Sequence, residues 1–182
     1  MSVSIRDARN APQDREWIRA VYRGYLADLS TSRTGLFPVL GEWDAREDEF
    51  LSSWFSDTGS HPFVILVNGE RAGFARVARP PLFPRVPYDY RMSEFFVEPA
   101  ARRRGVGASA AALLFHRFSG DWEVIEDEHN RPALQFWRRV IAVQTGGRYT
   151  ETRAGGEIRH RFRTEVRPHL SRSPERSPQS GG

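Results

Sequence analysis

The 182-residue sequence contains no cysteine and, among its 27 basic residues, no lysine. The missing cysteine excludes disulfides, thiolate metal sites and a cysteine nucleophile. The missing lysine means that the formal charge of +4 and the isoelectric point near 10.1 come from guanidinium groups that do not deprotonate. The five histidines (61, 116, 129, 160 and 169) lack a ligand spacing such as H-x-x-x-H, so no metal is expected. No apolar run reaches the roughly 18 residues of a membrane span, and Met1 to Asn10 lacks the apolar core of a signal peptide. A cytoplasmic protein with no membrane partner is the expectation. Helix-turn-helix, zinc-finger and aromatic-basic strand motifs are also missing, which leaves nucleic-acid binding resting on charge alone, and none is expected.

What is present reads as one globular domain. Hydrophobic residues make up 39% of the chain and charged residues 27%, ordinary values for a folded protein. Residues 1–167 form the expected domain, and residues 168–182 a Ser/Arg/Pro tail too poor in apolar side chains to fold. Val3 to Arg6 alternates as a strand; after Pro12, Ile18, Val21, Tyr22, Tyr25 and Leu29 repeat at helical spacing. Asp44 and Glu47 match a capping box ahead of a second helix bearing Phe50, Leu51, Trp54 and Phe55, with Ser30 to Trp43 as the loop between. Pro62 to Val67, Asn68-Gly69 and Gly73 to Val77 make a hairpin. A Pro-rich connector, Arg79 to Tyr90, leads to a strand from Met92 to Val97. Helix (Gly105 to Phe118), strand (Trp122 to Ile125) and a helix capped by Asn130 follow, and the chain ends in a hairpin turning at Gly155-Gly156. In that hairpin Ile158, His160 and Phe162 alternate with Arg159, Arg161 and Arg163, which reads as an exposed edge strand protected by charge.

The stretch Met92-Ser-Glu-Phe-Phe-Val-Glu-Pro-Ala-Ala-Arg-Arg-Arg-Gly-Val-Gly107 carries the strongest chemical signal. A strand runs into an Arg-rich turn with two glycines and then a helix N-terminus, where free N–H groups and the helix dipole favour an anion. Alone this pattern also fits a solvated surface turn. One strand later, Glu128-His-Asn-Arg-Pro-Ala-Leu-Gln-Phe-Trp137 brings Asn130 and Trp137 to the same crevice in a βαβα order.

On these two motifs the sequence resembles the GNAT superfamily of acyl-CoA-dependent N-acyltransferases. The family's pyrophosphate loop, Gln/Arg-x-x-Gly-x-Gly/Ala, is matched by Arg102, Gly105 and Gly107, and its Asn-x-x-Ala-x-x-Phe-Tyr motif by Asn130, Ala133 and Phe136. The second motif and the Thr-Gly-Gly-Arg-Tyr after it look like a bacterial subgroup of predicted acetyltransferases. The resemblance implies an α/β (α+β) fold, a central twisted mixed sheet with helices on both faces. It also implies that Arg102, Arg103, Arg104, Gly105, Val106, Gly107 and Ala108 hold the pyrophosphate of acetyl-CoA. The backbone of Phe96 and Val97 would pair with pantetheine, Asn130 would touch the same arm, and Trp137 would either stack on it or help fill the core.

The implied reaction moves an acetyl group directly from the thioester to a primary amine of a small molecule or peptide. A protonated amine must lose its proton first, and Glu94, in an apolar segment of the strand, is the first candidate base. His129 is an alternative base, although Glu126 to His129 reads more simply as a solvated loop. The family's Tyr, a proton donor to the departing thiolate, is replaced by Trp137, whose indole N–H does not ionise in this way. Tyr149 is a weaker candidate acid. Trp43, Tyr88, Asp89 and Tyr90 are expected to line an acceptor pocket suited to a cationic amine. The departure at Trp137 keeps open a catalytically silent CoA-binding module. The oligomeric state is not fixed, and a homodimer is compatible with the sequence.

Overall fold

The computed structural model describes residues 1–31, 40–82 and 85–165, with residues 30, 31 and 40–47 described by backbone alone. The elements are β1 (Val3–Asp7), α1 (Pro12–Thr31), α2 (Leu40–Ser56), β2 (Ser60–Val67), β3 (Glu70–Ala78), β4 (Tyr90–Val97), α3 (Val106–Arg117), β5 (Gly120–Asp127), α4 (Arg131–Thr145), β6 (Tyr149–Ala154) and β7 (Glu157–Thr164). All seven strands join one mixed sheet in the order β1-β2-β3-β4-β5-β7-β6. Among the described residues only β4 and β5 run parallel, joined by a crossover through α3. At the tip of the β2–β3 hairpin, Asn68 and Gly69 take φ of 51° and 89°, the left-handed pair that such a tight turn requires.

Helices cover both faces, and the sequence stripes show why. Ile18, Tyr22, Tyr25 and Leu26 of α1 and Leu51 and Trp54 of α2 pack on Val64, Leu66, Phe74 and Phe96. On the other face, Ala111, Leu114 and Phe115 of α3 and Trp137, Val140 and Ile141 of α4 pack on Trp122, Val124 and Phe162. Burying large aromatics in this way supplies much of the stabilisation, about 1.5–3 kcal/mol for each fully buried large apolar side chain.

Two expectations are corrected. The second helix begins at Leu40, so Asp44 lies within it rather than capping it, and Trp43 belongs to the helix backbone, its side chain outside the described residues. The last strand is not an edge: β7 inserts between β5 and β6, and β6 becomes the outer strand. The arginines of β7 therefore sit inside the sheet, a placement set by long-range pairing that local alternation cannot show. The tail lies outside the described residues.

Candidate functional site

The parallel pairing of β4 with β5 stops early. Tyr90, Arg91 and Met92 pair with Trp122, Glu123 and Val124, and beyond them the two strands part. Residues 94–97 of β4 remain paired to β3 on one side only, so their other backbone edge opens into a cleft.

A bulge aims the side chains there. Arg76 pairs with Glu94 but Val77 pairs with Met92, which leaves Ser93 as the extra residue. Tyr90 and Met92 consequently face α3 and α4, whereas Phe96 joins the α1/α2 core. Glu94 turns the same way as Phe96, and Oε2 accepts the Tyr25 hydroxyl of α1 at 2.7 Å. Burial pushes the Glu94 carboxyl up, against the Tyr25 hydrogen bond and the charge of Arg76, which pull it down. The Tyr25 phenol is pushed well up by burial and then by Glu94.

The opposite wall of the cleft holds a second carboxylate. Glu126 of β5 accepts Trp137 Nε1 on Oε1 at 2.8 Å and Asn130 Nδ2 on Oε2 at 3.4 Å. Burial raises its pKa to about 7, with the neighbouring charges of Asp127 and Glu94 adding to the rise. In the sequence Glu126 reads as part of a solvated run and Tyr25 as part of a helix core. The available signal was a carboxylate at the C-terminal end of a buried strand, eleven residues before the aromatic that replaces the motif tyrosine.

The loop after β4 supplies an anion cradle. Gly105 takes φ 80° as the cap of α3, and the first-turn amides of α3 have no partner within the helix. Arg103 and Arg104 are exposed, with no recorded partner among the described residues. At Gly107 an added Cβ would sit 3.1 Å from the Phe136 ring, so a larger residue needs that ring to shift by a few tenths of an ångström. Arg102 behaves differently from its expected role: Nε donates to the Val97 carbonyl at 2.7 Å, and the guanidinium also bonds Asp28. It pins the loop to β4 and α1, and it occupies the carbonyl of Val97 expected to meet pantetheine.

Other expected residues are placed as follows. Trp137 is 2% exposed, packed among Phe95, Phe115 and Phe136 with its Nε1 on Glu126. Asn130 caps α4, accepting Ala133 N at 3.4 Å while holding Glu126. His129 is exposed in a surface groove with Arg131, Gln135 and Arg138, its Nδ1 3.1 Å from Asp127 Oδ1. Tyr149 stands on β6, three strands from β4, roughly 14 Å at the usual strand spacing, which removes it as a proton donor in the cleft. Asp89 accepts the Asp121 amide at 2.9 Å, and the Tyr90 hydroxyl accepts Arg79 Nη2 at 2.9 Å, so both brace the fold. Tyr88 remains available, its ring 4.8 Å below the Arg91 guanidinium.

Comparison with known proteins agrees with this fold. A family model described as the acetyltransferase (GNAT) family matches residues 19–141, more than half of the chain. A GNAT-family acetyltransferase from Streptococcus agalactiae superposes with a TM-score of 0.65 at 14% identity, covering 90% of this chain and 96% of that one. The PaiA N-acetyltransferase of Thermoplasma acidophilum, solved in complex with coenzyme A, gives 0.59 at 11% identity over 90% and 99% of the two chains. The Campylobacter jejuni N-acetyltransferase PseH, in complex with acetyl coenzyme A, gives 0.53 at 10% identity over 90% and 100%. At these identities the superpositions speak for the fold. No curated protein matches the chain by sequence. No described helix is long and apolar enough to cross a membrane.

Proposed function

The chain belongs to the GNAT acetyltransferase family, and from that premise we propose that it transfers an acetyl group from acetyl-CoA to a primary amine of a small molecule or peptide. The observation that carries this reading is the cleft between β4 and β5, walled by two desolvated carboxylates and ending at the amide-lined start of α3.

The residues fit the donor. Gly105 in its left-handed conformation exposes the first amides of α3, and Arg103 and Arg104 add cations for a pyrophosphate. The edge of β4 from Ser93 to Phe96, which β5 leaves unpaired, offers backbone groups to an extended arm. Acetyl-CoA supplies the activated thioester, and the chain supplies proton management. Glu94, ionised, takes the proton of the incoming ammonium. Glu126, half protonated near pH 7 and held by Trp137 and Asn130, returns a proton to the departing sulfur. Trp137 therefore serves the acid step indirectly, by orienting a carboxyl where the family motif has a phenol.

The test is acetyl-CoA consumption with a broad amine panel, alongside CoA binding. Glu94→Gln is expected to lower turnover by about 10²-fold while leaving CoA affinity unchanged. Tight CoA binding with no turnover of any amine would instead support the silent module.

A further inference from the structure

One half of the sheet has a face that no described helix covers. The α1 and α2 side chains pack on β2, β3 and β4, and those of α3 and α4 lie on the opposite side of β5 and β7. On the open face β4, β5 and β7 place Arg91, Glu123, Arg161 and Arg159 side by side, through the pairings Arg91–Glu123 and Glu123–Arg161.

Glu123 is fully buried and carries more cation than its burial needs. Its Oε2 accepts Arg91 Nη2 at 2.5 Å and Nε at 3.1 Å, and its Oε1 accepts Arg161 Nη2 at 2.9 Å and Nε at 3.0 Å. Arg159 adds a third guanidinium with Nη1 at 3.7 Å, shared with Glu157. Three guanidiniums face two carboxylates, Glu123 and Glu157, which leaves a local excess of one positive charge. Among the described residues, Nη1 of Arg91 and of Arg161 has no recorded partner, and these side chains keep 36% and 41% exposure. Two planar donors, locked in orientation by a shared carboxylate and each with N–H groups unengaged, suit a carboxylate or phosphate.

Position ties this row to the cleft. Arg91 precedes Glu94 by three residues, and the bulge at Ser93 brings both to one face. Arg159 stands opposite Ile125, where β5 has parted from β4. At the usual rise and strand spacing the row lies on the order of 10 Å from Glu94. The charge is opposite to that of a pocket for a plain cationic amine, since Asp89, the acid expected there, is turned to the Asp121 amide.

We propose that the acceptor carries, besides its amine, an oxyanion about 10 Å from the nitrogen, bound by Arg91 and Arg161 with Arg159 at the flank. The inference rests on the amine-acetylation reading and adds the acceptor's class.

The test uses the full chain and matched amines: ω-aminooctanoate against its amide, and ω-aminohexyl phosphate against aminohexanol. The anionic member of at least one pair is expected to show kcat/KM at least about tenfold higher, and the responding pair tells carboxylate from phosphate. In Arg91→Gln, which leaves Arg161 on Glu123, that gap should close with CoA affinity unchanged; Arg91→Lys should restore it only in part. Equal kcat/KM within both pairs in the wild type overturns the proposal. If no amine is acetylated, the transferase reading fails, and the anion site is read on its own with CoA present. A rise of Tm with octanoate or inorganic phosphate, lost in Arg91→Gln, supports the site. No rise, or a rise that survives in the variant, overturns it.

Discussion

Glu123 and Glu94 occupy one face of one sheet, yet their surroundings are opposite. Glu123 is saturated by guanidiniums from β4 and β7. Glu94 receives a phenol hydroxyl, and Arg76, its cross-strand neighbour, turns its Nε to Ser60 and its guanidinium over the Trp54 ring. Glu126, on the other wall, is likewise held by uncharged donors, an indole and an amide. A carboxylate clamped by guanidiniums is held in place and serves geometry. A carboxylate held by neutral donors in a desolvated cleft can change its proton, and serves chemistry.

The largest expected effect breaks the clamped member. Glu123→Ala removes the shared acceptor and leaves Arg91, Arg161 and Arg159 repelling one another on one face. Partly exposed guanidiniums can recover some hydration, so the expected loss is about 3 kcal/mol, at the lower end for a broken buried pair. Urea unfolding measures it. A loss below about 1 kcal/mol would place Glu123 with ordinary surface pairs and erase the contrast.

A smaller effect sharpens the neutral-donor member. Folded Glu126 keeps its proton to about pH 7, whereas an unfolded glutamate releases it near ~4.3. Between these values the native state binds more protons than the unfolded chain, so this group makes stability fall as pH rises. The fall should be up to about 1.4 kcal/mol per pH unit within this window and level off above pH 7. Glu126→Gln should remove that slope and also the alkaline limb of kcat near pH 7. Parallel stability profiles for wild type and variant across this window would show that Glu126 ionises normally and is no proton donor.

The contrast was only partly legible in the sequence. Local signals gave the Asn68-Gly69 hairpin, the start of α3 at Gly105 and the Asn130 cap, because each depends on backbone preferences within a few residues. The acidic wall was hidden for a different reason. Glu94 meets Tyr25 across 69 positions, and only the bulge at Ser93 decides which face Glu94 takes. Alternation alone would have sent it toward α3 and α4. Likewise Arg159, Arg161 and Arg163 look like edge protection until β7 is seen to insert between β5 and β6. Arg102 matches the phosphate motif by spacing, but its guanidinium returns to Val97, an orientation that no spacing encodes.

The smallest expected effect tests whether the phenol is structural or tunes the base. In Tyr25→Phe the ring keeps its packing against Phe74 and Phe96, so only the hydroxyl is lost. The cost should be about 1 kcal/mol, that of one hydrogen bond. The hydroxyl favours ionised Glu94, and its removal leaves burial less opposed, so the carboxyl pKa should climb further. Glu94 must be ionised to take a proton, so the acid limb of the pH–rate profile should move to higher pH while CoA affinity stays constant. A loss of stability with an unmoved acid limb would assign Tyr25 to the core alone, and would mean that the base is a group other than Glu94.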